Sequence, residues 1–275
     1  MELSRDTQAV LLLTAYLSKA GQEPATPLKP REWAQLVGWL HNRGATPADF
    51  LDGRDSLVEA SRACGFAPDR LRGLLERGFA LAHCAERWQR AGIWFLTRAS
   101  TAYPERFKQR LGTAAPPVLF GCGHQRILET RGLAVVGSRN ATAQDLNFTS
   151  RLAERTAADG YTVISGGARG VDTTAMEAAL VAEGTAVGVL ADSLMRASTS
   201  RIFRPHLAAG NLVLISPYQP EARFNVGNAM RRNALIYTLA DAAVVIASDE
   251  GKGGTWNGAT EALNAGWGPV WVRTH

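Results

Sequence analysis

From Leu133 onward, six short runs rich in aliphatic and β-branched residues recur with room for one helix between each pair: Leu133 to Gly137, Tyr161 to Ser165, Ala186 to Leu190, Leu212 to Ser216, Ala242 to Ala247 and Pro269 to Arg273. The intervening stretches carry helical patterns, such as Phe148, Leu152, Arg155 and Thr156, or Ala175, Ala178, Ala179 and Val181. A strand that is apolar along its whole length has both faces covered, and strands that alternate with helices pair in parallel. The pattern predicts a Rossmann-like, doubly wound, mainly parallel α/β sheet over residues 133–275.

The sequence before Leu133 has a different texture. Apolar residues fall at helical spacing at Val10, Leu13, Tyr16 and Leu17, at Trp33, Leu36, Val37 and Leu40, and at Leu71, Leu74, Leu75 and Phe79. Breaks rich in Gly and Pro lie at Gly21 to Pro30, Gly44 to Pro47 and Gly65 to Pro68, where Thr46 or Asp69 can cap a following helix. Residues 1–90 therefore read as a small all-helical N-terminal domain, similar to a SAM-type helical bundle, with Trp33, Trp39 and Trp88 in its core or at an interface. Residues 91–132 read as a connector, because Pro104, Pro116 and Pro117 keep it from forming one long helix.

Charge and composition exclude several classes. The 30 Lys and Arg against 25 Asp and Glu leave +5, with a pI near 9.4. That suits a polyanionic partner without requiring one. From Leu133 onward 12 basic residues balance 12 acidic ones, so the excess lies before it. Cys64, Cys84 and Cys122 lack metal-ligand spacing and are odd in number, which argues against a zinc site or a disulfide framework. No metal or cofactor is expected. The N-terminus lacks an export pattern and no apolar run approaches a membrane span, so a cytoplasmic protein is expected. His83, His124 and His206 have no acidic or thiol partner at a recognisable spacing, and His41 and His275 read as surface residues. No catalytic constellation emerges.

In a doubly wound fold, ligands sit beyond the carboxyl ends of the strands, where backbone N–H groups at helix starts attract anions. The special residues of this chain cluster at those positions. After the first run come Gly137, Ser138 and Arg139. After the second come Ser165, Gly166, Gly167, Ala168, Arg169 and Gly170, whose glycines permit close approach of an anion to the backbone. Asp172 follows in the first helical turn, where it either satisfies loop amides or meets the ligand. Arg231, Arg232 and Asn233 open a helix after the fourth run, preceded by Phe224. Lys252, Gly253, Gly254 and Thr255 form a third phosphate-compatible turn before a helix that carries Glu261. Neither the dinucleotide fingerprint nor a P-loop is present, which disfavours hydride transfer.

This ordered set resembles the DprA or Smf family of DNA-processing proteins, over roughly Ile93 to Arg273. The resemblance rests on Gly137-Ser138-Arg139, on Ser165 through Asp172, on Ser216-Pro217-Tyr218-Gln219-Pro220, on Arg232-Asn233-Ala234, and on Gly253-Gly254-Thr255 with Glu261. It implies a non-enzymatic protein that binds single-stranded DNA, forms a homodimer or higher homo-oligomer, and presents the strand to a RecA-type recombinase in DNA uptake or natural transformation. It casts Arg139, Arg169, Arg232 and Lys252 as phosphate ligands. The chain departs from the family at Met176, where His is usual, at Ala234, where a second Arg is usual, and at Pro217, where Glu is usual. The loop after the third run, Ala191 to Arg196, is not glycine-rich, and no winged-helix module is expected after the sixth run. A diverged role, such as phage defence or nucleotide sensing, fits these departures. The other class to weigh is a nucleoside-monophosphate hydrolase, in which Glu261 would act on the N-glycosidic bond, because Gly253-Gly254-Thr255 through Glu261 is similar to that motif.

Overall fold

The computed structural model describes residues 3–18 and 23–274, with backbone alone at Arg54 and Asp55. Gly21, which opens the first break, and His275 lie outside the described residues. The chain divides into two compact units. One takes the residues up to Arg90 with Phe95–Tyr103 and Gly112–Leu119; the other takes Ala91–Trp94, Pro104–Leu111 and everything from Phe120 onward.

The first unit contains α1 (Arg5–Thr14), α2 (Pro30–His41), α3 (Arg54–Cys64), α4 (Pro68–Leu75) and α5 (Gly78–Arg90). Local chemistry sets their ends. Ser4 accepts the Thr7 amide at the start of α1, Pro30 and Pro68 occupy first-turn positions that need no N–H, and Gly65 closes α3 in the left-handed region at φ 68°. Leu11, Leu13, Leu36, Leu71, Leu74 and Trp88 are fully buried. Each such side chain contributes roughly 1.5–3 kcal/mol relative to exposure. Phe79 breaks the apolar pattern it belongs to, for it is 90% exposed at the start of α5. Arg77 is buried instead. It pairs with Glu23 at 2.5 Å and donates to the carbonyls of Leu12, Ala15 and Leu74, closing the C-terminal end of α1.

The residues read as a connector form regular structure: β1 (Trp94–Thr97), α6 (Glu105–Leu111) and β2 (Val118–Gly123). Gly121 permits the Trp94 ring to lie directly on the strand, since a Cβ there would come within 2.2 Å of it, and Trp94 Nε1 donates to Gly123 O at 2.9 Å. The prolines mark where the segment turns rather than an absence of strands.

The six predicted runs form β3 (Gly132–Val136), β4 (Thr162–Ser165), β5 (Ala186–Val189), β6 (Leu212–Ser216), β7 (Ala242–Val245) and β8 (Val270–Val272). The helices between them are α7 (Ala143–Ala158), α8 (Val171–Val181), α9 (Leu194–Ser198), α10 (Arg204–Ala209), α11 (Val226–Leu239) and α12 (Gly253–Ala265). The sheet runs β1-β2-β6-β5-β4-β3-β7-β8; β3 to β8 pair in parallel and β2 pairs antiparallel to β6. This is the predicted Rossmann-like, mainly parallel α/β architecture, with two further strands on one side. Val135 and Val163 of the sheet pack against Ala153 of α7 and Ala175 and Ala179 of α8.

Strand order reverses at β3, whose neighbours are β4 on one side and β7 on the other. Such a switch point, here beyond the carboxyl ends of β3 and β7, is where doubly wound folds take ligands. Part of the N-terminal charge excess is spent holding a helix beside it. Arg106 donates to Leu239 O at 2.6 Å and pairs with Asp241, while Arg110 donates to Thr238 O and Ala240 O, so two guanidinium groups cap the carbonyl end of α11.

Candidate functional site

The turns after β3 and β4 meet. Gly170, at φ 93° and ψ −128°, adopts a backbone conformation that other residues rarely reach, and a Cβ there would lie 2.7 Å from Ser138 O and 3.1 Å from Arg139 Cα. Ser138 N donates to Ala247 O at 2.9 Å, tying the first turn to the segment after β7, and Arg169 reaches Asn140 across the two turns. Arg139 and Arg169 both stand at the surface. The Arg139 guanidinium lies 5.3 Å from the centre of the exposed Phe224 ring, a cation–π contact.

Asp172 and Arg232 sit beneath these turns, both buried. The Asp172 carboxylate accepts the amide of Ala168 at 3.4 Å and lies against Gly166. Burial pushes its pKa above the ordinary carboxylate range, while the Arg232 charge and neighbouring backbone amides oppose the shift. A Cβ on Gly166 would stand 1.7 Å from Arg232 Nη1 and 2.6 Å from Asp172 Oδ2, so the two charged groups meet over this glycine. Arg232 Nε and Nη1 nevertheless have no hydrogen-bond partner. Burial lowers the Arg232 pKa and the Asp172 charge counters it. A buried guanidinium with donors unfilled is costly, about 1–3 kcal/mol for each unmet group, and such a group is suited to an anion that supplies the missing acceptors.

The other candidate residues take different positions. Ser165 is fully buried and its hydroxyl donates to Val135 O at 2.6 Å, so it bridges strands and is not free to donate to a ligand. Asn233 Nδ2 donates to Gly254 O at 3.0 Å, which holds the start of α12 against α11. Lys252, Gly253 and Gly254 are exposed, and no side chain caps the first turn of α12, leaving its amides facing outward. Glu261 lies eight residues beyond Gly253, a rise of about 12 Å along the helix. It shares the exposed face of α12 with Trp256, Asn257, Thr260 and Asn264 and is separated from the glycine turns.

Two contributors escaped the sequence reading. Tyr237 is buried with its hydroxyl unpartnered, within electrostatic reach of Asp172, and the charge of Asp192, in the loop after β5, acts to keep Arg232 protonated. The burial of Arg232 did have a signal. It stands three, four and seven residues before the buried Leu235, Ile236 and Leu239, on the inward stripe of α11, whereas Arg231 does not.

The family model described as DNA recombination-mediator protein A matches residues 94–273. A DNA processing protein DprA of Mycobacterium tuberculosis is 39% identical over 137 residues, 48% of this chain and 35% of that protein. The match thus spans about a third of that relative's length. The X-ray structure of DprA from Streptococcus pneumoniae aligns over 100% of this chain and 88% of its own, with a TM-score of 0.73 at 20% identity. The Helicobacter pylori DNA processing protein A, whose structure was described for its single-stranded DNA binding mode, aligns over 66% of this chain and 81% of its own. Its TM-score is 0.55 at 25% identity.

Proposed function

The chain belongs to the DNA recombination-mediator protein A family, the DprA/Smf proteins, and we propose that it binds single-stranded DNA at the edge formed by the turns after β3, β4 and β7, without catalysing a reaction. The observation that carries this reading is Arg232, a buried guanidinium whose Nε and Nη1 have no partner. Around it, Arg139, Arg169 and Lys252 supply exposed cations for neighbouring phosphates, and Gly137, Ser138, Gly167, Gly170, Gly253, Gly254 and Thr255 supply the frame. Phe224 with Arg139 offers a flat surface for a base, worth roughly 1–3 kcal/mol per stacked base. The Helicobacter relative's DNA binding supports the same ligand class.

In this reading the protein acts in the cytoplasm as a homodimer or higher homo-oligomer and presents the strand to a RecA-type recombinase, in DNA uptake or defence. Residues 1–90 act as a helical module and residues 133–275 as an α/β domain. The position of Glu261, far along the exposed face of α12, speaks against N-glycosidic hydrolysis. Among the described residues no helix is long and apolar enough to cross a membrane.

Titration of a labelled oligothymidylate at two salt concentrations tests the proposal. Affinity falls as salt rises, with a slope of about −0.7 in log units for each phosphate neutralised. Arg139→Ala and Arg169→Ala each weaken binding and flatten that slope. Absence of binding at low salt, or stabilisation by a mononucleotide and not by the oligonucleotide, refutes it.

A further inference from the structure

We propose that Asp145 is a positioning residue for the anion site: together with Arg273 it pins the far end of the turn between β3 and α7, and so fixes where Arg139 stands. The inference rests on the anion-binding reading above and adds to that site two residues outside the turns themselves.

The turn from Ser138 to Thr142 carries Arg139 and is tied at both ends. At its start Ser138 N donates to Ala247 O at 2.9 Å. At its end Thr142, the residue before α7, donates its amide at 2.8 Å and its hydroxyl at 2.7 Å to Asp145 Oδ2. The same hydroxyl accepts the Asp145 amide at 3.2 Å. A reciprocal cap of this kind needs only one carboxylate oxygen. Here the other oxygen, Oδ1, accepts from Arg273 Nη1, and the pair is buried, the Arg273 side chain 9% and the Asp145 side chain 11% exposed.

Arg273 is itself held. Its amide donates to Val245 O of β7 at 2.9 Å, and its guanidinium lies 5.0 Å from the centre of the Phe148 ring of α7. Its charge is therefore spent inside the fold and not on a phosphate. Both ties of the Arg139 turn lead to the same side of the sheet, because Ala247 follows β7 and Arg273 follows β8. Between the ties stand Arg139, Asn140 and Ala141, with Ala141 packed on the core and Asn140 reached by Arg169. Without the far tie, Arg139 must be ordered anew each time phosphate binds, and that ordering costs affinity.

Asp145→Asn separates this role from bulk electrostatics, because the two predict opposite signs. Removal of a negative charge by itself tightens binding to a polyanion, whereas loss of the tie to Arg273 weakens it. Oligothymidylate affinity is expected to fall about tenfold, the share of one misplaced charge-assisted contact. In an Arg139→Ala background the same substitution should cost less than about twofold, since the group it positions is gone. Trypsin cleavage after Arg139, followed on protein that urea unfolding shows to be folded, reads the turn without DNA. Asp145→Asn and Arg273→Met accelerate that cleavage, and Arg273→Lys, which keeps the charge and a donor, does so less. If the unsubstituted protein binds no oligonucleotide, the functional reading falls, and cleavage after Arg139 still decides whether the pair holds the turn. Affinity in Asp145→Asn equal to or above that of the unsubstituted protein, an equal loss in the Arg139→Ala background, or unchanged cleavage in both variants overturns the proposal. Should Asp145→Asn not fold, Arg273→Met leaves the Thr142 cap in place and carries the same double-variant and cleavage tests.

Discussion

Gly166→Ala is the smallest change that displaces the Arg232 guanidinium. The added methyl would sit 1.7 Å from Arg232 Nη1 and 2.6 Å from Asp172 Oδ2. Ordinary carbon–nitrogen contact is about 3.5 Å, so the guanidinium must move by well over an ångström. It is the far end of a flexible side chain, so the fold survives, with an overpacking cost of about 1–3 kcal/mol. Displacement removes one charge-assisted contact to phosphate, worth about 1.5–3 kcal/mol, and affinity should drop by roughly 10- to 150-fold. The salt slope should flatten by about 0.7 log units, the share of one phosphate on a single strand. Fluorescence anisotropy of an oligothymidylate at several salt concentrations reads both quantities, and urea unfolding reads stability. Gly166→Ala and Arg232→Ala act on one group, so the double variant should lose little more than either alone. A folded Gly166→Ala protein that binds within twofold of wild type with an unchanged slope would show that Arg232 in this position does not grip the strand.

Phe224→Ala should weaken oligonucleotide binding by about 1–3 kcal/mol with the salt slope intact, because stacking releases no counterions, and a flattened slope would contradict that division of labour. Arg77→Ala should destabilise the helical unit by about 3–5 kcal/mol, since Glu23 is left buried and unpaired; replacing both by leucine should recover most of it in denaturant unfolding. Arg70 donates to both oxygens of Glu32 and holds that carboxyl below the ordinary carboxylate range. Its stabilisation is therefore complete above the unfolded-chain pKa near 4.5 and is lost as pH falls through the depressed folded value. Glu32→Gln should flatten the acid limb of a melting-temperature profile below about pH 5, and an unaltered limb would remove the pair from the account.

The α/β unit was legible because its periodicity is strong. Six apolar runs separated by helical spacings admit few architectures other than a parallel sheet covered on both faces, and β3 to β8 follow them closely. The glycine turns were legible for the same local reason, since Gly170 stands where only glycine accepts the backbone. The segment from 91 to 132 was legible only as a connector, because prolines that exclude one long helix do not show that they bound β1, α6 and β2. Phe79 shows the opposite failure: its spacing continues the pattern of Leu71, Leu74 and Leu75, but α4 ends at Leu75 and α5 starts at Gly78, so it does not share their buried face.

The sequence alone determined which residues could bind an anion and in what order they come along the chain. Tertiary structure decided what each one spends its hydrogen bonds on. Asp172 takes the amide of Ala168, Ser165 gives its hydroxyl to Val135, Asn233 ties α11 to α12, and Arg232 is left with buried donors unspent. Spacing along the chain records which face of an element is buried. Hydrogen-bond partners such as Ser165 with Val135, or Asn233 with Gly254, are distant in sequence and are set only when strands and helices are brought side by side.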